Sequence, residues 1–239
     1  MKKIVPILSV LPLVATNGMH AIEPVKKPNV IIIYADDLAD LFGVDAVRYY
    51  VLHEIPFAND GTLTYELMIE RINSDLANIL GNLVNRTISM ANKYFEGNVT
   101  NKKVAEELDN ELINQINDLD KNVEAKMDKL EIGASLDVIF DLLRRSNKYI
   151  DETTPWTLAK EEDKKDRLET VLFNLLESIR VAAIYLKPYL PETSDNIFTQ
   201  LNTNNDITTY DENNSYTVGT PVPLFQRIDK EKIYWKLKN

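Results

Sequence analysis

From Thr64 to Gly97 the apolar residues fall at Tyr65, Met68, Ile69, Ile72, Leu76, Ile79, Leu80, Leu83, Met90 and Tyr94. Gaps of three and four place these side chains on one stripe of a helix. Thr64 suits the N-cap, Glu66 the positive end of the helix dipole, and Gly97 the C-terminal stop. Gly81 alone interrupts the run, so the spacing predicts one α-helix across the stretch. A second, polar stripe borders the first. Asn82, Arg86, Ser89 and Lys93 stand at i, i+4, i+7 and i+11 and share one face. An amide and a guanidinium one turn apart can together hydrogen-bond a flat polar edge, such as that of an unstacked base. On chemistry alone the plainer reading of Arg86, a solvated surface residue, is favoured.

The same periodicity continues through the chain. An amphipathic helix spans Val44 to Glu54, followed by Pro56 and the turn Asn59-Asp60-Gly61. Val104, Leu108, Leu112, Ile116 and Leu119 predict helix within the charged stretch 101–130. Leu136, Ile139, Phe140 and Leu143 predict another over 132–150, with Arg144, Arg145 and Lys148 near its negative end. Thr154-Pro155-Trp156 reads as a helix restart, with an N-cap and a proline at the first position. Leu168, Leu172, Leu175, Ile179, Ala182 and Leu186 mark a core helix stopped by Pro188, and 191–201 a short last one. Residues 202–221, rich in Asn, Thr and Asp, read as loop, and 223–229 as an apolar-anchored tail.

The first residues have a different character. Lys2-Lys3 precede the apolar run Ile4 to Ala15, the layout of a secretory signal peptide. The run is short and contains Pro6 and Pro12, which argues against a membrane span. Val30 to Tyr34 is a continuous apolar run, expected as one short isolated strand with Asp36 and Asp37 at its C-terminal end. This head resembles the start of the mature sulfatases, whose Pro-Asn-hydrophobic-Asp-Asp opening supplies calcium ligands. The resemblance covers roughly residues 1–38. The family's Cys or Ser then x-Pro-x-Arg signature is nowhere in the chain. Two carboxylates also fall far short of the six to eight oxygens calcium takes. Asp36 and Asp37 are therefore vestigial candidates, and no metal is expected.

Composition narrows the partners. The chain has 239 residues, is 44% hydrophobic and contains only 7 Gly, which favours helices over turn-rich sheets. Its net charge of −10 is unlike that of a general polyanion binder. A nucleic-acid partner would have to be recognised locally, by a few placed cations and aromatics. The absence of cysteine excludes disulfides and thiolate metal sites, and two His cannot form a histidine-rich one.

From residue 38 onward the motifs GVDAVRYYVLHEIPFANDG, DLANILGNLVNR, NKYIDETTPW, YLKPYLP and PLFQRID occur in order. Together they resemble the bacterial single-chain methionyl-tRNA synthetases over about residues 38–235. The resemblance implies an all-α fold, a helical bundle of the class I aminoacyl-tRNA synthetase anticodon-binding type. It implies that Asn82, Arg86 and Trp156 contact the anticodon, the tryptophan by stacking on a base. Ser89 and Lys93 are further candidate contacts. By aromatic burial habits alone, Trp156 reads equally well as a core anchor.

The domain reading is therefore 1–21 signal-like, 22–37 sulfatase-like, 38–63 a stem-contact-like connection, 64–201 the bundle, and 202–239 loop and tail. The His-x-Gly-His and Lys-Met-Ser-Lys-Ser motifs of the family's catalytic domain do not occur. No catalytic residue and no cofactor is expected in this chain, ATP and methionine belonging to the catalytic domain. The expected partners are methionine-specific tRNA, through its anticodon loop, and a separate catalytic half, with no membrane. The expected location is cytoplasmic, or secreted if the head functions as a signal. Two alternatives compete: a chimeric or truncated bundle without independent activity, joined near Asp37–Leu38, and a secreted sulfatase-like hydrolase fragment.

Overall fold

Helices dominate wherever the 3–4 spacing dominates, and their ends fall where caps and prolines stand. A computed structural model describes residues 35–56 and 61–238 of the chain. Two short helices come first, α1 (Ala35–Phe42) and α2 (Val44–Glu54). A long helical rod follows, made of α3 (Tyr65–Arg71), a π-helical segment (Ile72–Gly81) and α4 (Asn82–Phe95). Then come α5 (Glu107–Asn117), α6 (Leu119–Met127), α7 (Ile132–Thr153), α8 (Pro155–Leu158), α9 (Lys165–Leu186), α10 (Pro191–Leu201) and α11 (Lys230–Lys238). One antiparallel pair, β1 (Asn98–Thr100) and β2 (Ser215–Thr217), is registered with Val99 opposite Tyr216.

The all-α bundle is as the spacing predicts, with α2 and α10 at the expected bounds. Several expectations need correction. Asp36 and Asp37 are themselves helical; they lie in the first turn of α1, where Asp37 is exposed. The strand expected over 30–34 lies outside the described residues. Residues 101–106 are not helical. Arg145 is buried, and instead of facing the end of α7 it pairs with Glu152 and Glu111.

The rod is also not uniform. The amide of Asn82 bonds the carbonyl of Ala77, five residues back. Met68, Ile72, Leu76, Leu80 and Val84, each four apart, are all buried. An α-helix carries a four-residue spacing round by about 40° per step. A π turn takes more residues, so it keeps this row in line. At the rod's far end Glu96 (φ 53) takes the left-handed position, and the amide of Gly97 bonds the carbonyl of Ala91 at 3.1 Å. This closure satisfies otherwise orphaned carbonyls.

α9 is the axis of the bundle, buried along nearly its whole length. Its polar residues hold the loops. Glu177 and Arg180, both fully buried, pair at 2.7 Å. Arg180 also donates to the carbonyls of Asn205, Ile207 and Thr209, which satisfies every guanidinium hydrogen. Glu177 accepts from the Asp211 amide at 2.7 Å, from Asn214 at 2.9 Å, and from the Tyr216 hydroxyl. Burial, reinforced by the Glu177 charge, pushes the Tyr216 phenol well above its ordinary value. The polar 202–221 segment, read as plain loop, is thus wired into the core.

A second buried cluster joins α5, α7 and α9. Arg167 grips Asp109 in a two-pronged pair at 2.6 and 2.8 Å, and the Tyr149 hydroxyl donates to Asp109 at 2.6 Å. Burial pushes the Asp109 carboxyl up. The bonds from Arg167, Tyr149 and the Glu106 amide outweigh this and hold it below its ordinary value. A carboxyl lowered on folding stabilises the protein above the unfolded value near pH 4, and that contribution is lost as pH falls through the folded value. Asp109→Asn should therefore flatten the acid limb of the stability–pH curve measured by denaturant unfolding between about pH 2 and 5. It should also cost about 3–5 kcal/mol at pH 7, because the buried Arg167 loses its buried carboxylate and keeps only the exposed Glu106, at 3.3 Å, as an ion partner. An unchanged acid limb would assign the pH dependence to other carboxylates.

Candidate nucleic-acid interface

The site is built where α4 meets the corner between α7 and α8. α4 is regular from Asn82 to Phe95, so its four polar positions lie within about 60° of one another. Leu83, Val84, Thr87, Ile88 and Ala91 bury the opposite side. Asn82, Arg86 and Lys93 are exposed and Ser89 is half-buried. Asn82 makes no side-chain hydrogen bond among the described residues. Arg86 stands 3.8 Å from Asp151 in the last turn of α7.

α7 ends two residues beyond Asp151, at Thr153, and the corner is abrupt. Thr154 has φ 42 and ψ 64, a left-handed conformation, although it is β-branched and precedes a proline. Its amide bonds the Ile150 carbonyl at 3.0 Å, and its carbonyl accepts from Thr157 at 2.8 Å. The side-chain cap expected of Thr154 does not form, but Pro155 does open α8. Pro155 is buried, while Trp156 is 41% exposed. The core-anchor reading of Trp156 therefore fails. Proline is the anchor, and the indole is displayed.

Lys93 closes the other side of the corner. With Tyr94, Leu158, Ala159, Glu161 and Lys165 it lines a cleft of about 200 Å³. Arg86 and Lys93 thus flank the corner that carries Trp156, and Asn82 lies one turn before Arg86. Asn147 meets Ile79 and Asp151 meets Arg86, so α7 ascends alongside the rod in the same direction. Asp151 escapes a sequence reading, because its role depends on which helix lies beside α7.

Residues 99–236 match the family described as the anticodon binding domain of methionyl tRNA ligase. The chain belongs to that family. Residues 14–88 match a second description, class I (M) tRNA synthetases. This match extends across the Asp37–Leu38 junction proposed from sequence, and the sulfatase resemblance of the head finds no support in these comparisons. The methionine–tRNA ligase of Clostridium acetobutylicum is 50% identical over 202 residues, 82% of this chain and 31% of that protein. That of Listeria innocua is 42% identical over 216 residues, 86% of this chain and 32% of the relative. The chain thus spans about a third of the length of these relatives. The apo methionyl-tRNA synthetase of Mycobacterium tuberculosis superposes with a TM-score of 0.77 at 32% identity, over 83% of this chain and 41% of that one. Within the anticodon-binding-domain family, the displayed indole and the outward face of α4 lie on the matched bundle or directly beside it. Among the described residues no helix is long and apolar enough to cross a membrane, and no group of three His, Cys, Asp or Glu could hold a metal ion.

Proposed function

We propose that this chain is the tRNA-binding, anticodon-reading portion of a methionine–tRNA ligase. Trp156 offers a stacking surface for an unstacked base, and Asn82 with Arg86 reads a base edge. Ser89 and Lys93 extend the contact along α4. The observation that carries this reading is the exposed Trp156 at a braced corner, five residues beyond the ion partner of Arg86. Single-stranded loops are read in this way, by splaying bases onto aromatic planes and hydrogen-bonding their edges. Methionine activation with ATP belongs, on this reading, to a catalytic domain that acts with the bundle.

Diffuse attraction contributes little, because the chain carries −10 and RNA is a polyanion. Affinity then depends on local contacts, and binding should fall only shallowly with added salt. The test is the binding of anticodon stem-loops carrying CAU and a scrambled triplet, followed by fluorescence anisotropy over a salt series. Preference for CAU with a shallow salt slope is the expected result. Equal binding of both loops would leave an inert bundle as the better description.

A further inference from the structure

The recognition face of α4 begins at Asn82, the residue immediately after the π-helical segment. Each residue added to a helical turn rotates everything beyond it by about 100°. The π segment therefore sets the direction in which Asn82 and Arg86 point. A π turn is rarely stable unaided and needs neighbours to satisfy displaced carbonyls. One asparagine supplies such a partner to a carbonyl of the segment, and another ties the segment to the chain's tail. Near its start, Asn73 accepts from the Ile228 amide at 2.7 Å and donates to the Ile228 carbonyl at 2.9 Å. Near its end, the Asn147 amide on α7 donates to the Ile79 carbonyl at 3.1 Å, while also bonding Leu143 in its own helix at 3.0 Å. The space is tight too, since a Cβ at Gly81 would lie 3.1 Å from the Leu76 carbonyl.

We infer that Asn147 is a positioning residue for anticodon recognition: its bond to Ile79 holds the π register that aims Asn82 and Arg86. This rests on the anticodon-reading function proposed above. Asn147 stands four residues before Asp151 on α7, so one helix both fixes the phase of the reading face and supplies the ion partner of Arg86. Asn147 itself touches no base. Its effect reaches the RNA only through the rotation of α4.

The test uses the full chain with Asn147→Asp, which keeps the size but removes the donor, and Asn147→Ala. CAU and scrambled stem-loops are titrated by anisotropy. NMR couplings across hydrogen bonds locate the acceptor of the Asn82 amide. Both variants should lose about 10-fold in discrimination, the worth of one base contact. Affinity for the scrambled loop should hold within about twofold, since phosphate contacts carry no sequence information. The Asn82 coupling should move from Ala77 to Asn78, one residue nearer. Retained discrimination, an equal loss for both loops, or lost discrimination with the coupling still on Ala77 would each overturn the inference. In the wild type, absence of a coupling from the Asn147 side chain to Ile79 would also overturn it, whether or not the variants fold. A wild type that cannot tell CAU from the scrambled loop would defeat the functional reading as well. Discrimination retained by the variants defeats only the role of Asn147.

Discussion

Arg180→Met should destabilise the bundle by about 3–5 kcal/mol, because it leaves the buried Glu177 carboxyl with its main partner gone. For a domain of this size each kcal/mol moves the melting temperature by about 2–4 °C, so calorimetry should record a fall of about 6–20 °C. The guanidinium is fully buried and satisfies three loop carbonyls as well as Glu177, so nothing in its surroundings can replace it. Amide exchange over residues 205–216 should accelerate in the same variant, since those backbone groups lose their shared anchor. A shift of only a degree or two would mean that water enters and solvates Glu177, and that the cluster is softer than its geometry implies.

Trp156→Ala and Arg86→Ala should each weaken binding of the CAU stem-loop by about 1–3 kcal/mol, the value of one stacked base or one base-edge contact. That is about 5- to 150-fold in the dissociation constant. The indole is already solvent-facing, so stacking requires no core rearrangement. Arg86 must first release Asp151. Both side chains are well exposed at 44% and 70%, and such pairs contribute about 0–1 kcal/mol, so the release costs little. Isothermal titration calorimetry with each variant measures the losses. If both variants bind as the wild type does, the base sits elsewhere on the bundle.

How far the sequence reveals this arrangement depends on the distance over which each feature is decided. Helices α2 and α10 are decided locally, by spacing, Pro191 and the residues at their ends, and their bounds match. The shared face of Asn82, Arg86, Ser89 and Lys93 is likewise a matter of spacing within one regular helix. The π segment was not visible, because its apolar row satisfies an α-helical template nearly as well. Only the core against which Met68 to Val84 pack selects between the two. Strands β1 and β2 are three residues each and pair across more than a hundred positions, with no alternation long enough to register. The 202–221 segment looks like plain loop because it serves the buried charges on α9 mostly through its backbone, with the Asn214 and Tyr216 side chains, and those charges themselves look like surface residues in an otherwise apolar helix. Trp156 illustrates the same limit. Its neighbour Pro155 takes the core position, and nothing in the sequence says which of the two would turn inward.

The left-handed Thr154 has a kinetic consequence. A β-branched residue held there, before a proline, costs about 1–3 kcal/mol and persists only when its surroundings leave no alternative. The bond from the Thr154 amide to the Ile150 carbonyl and the bond from the Thr157 amide to the Thr154 carbonyl, with Pro155 buried beneath, provide that constraint. The corner is therefore set before any RNA arrives, and the encounter includes no slow ordering step at the indole. In stopped-flow mixing, the observed rate should rise linearly with stem-loop concentration and show no plateau. Thr154→Gly, which frees the corner, should introduce a plateau while leaving the contacts of the final complex in place.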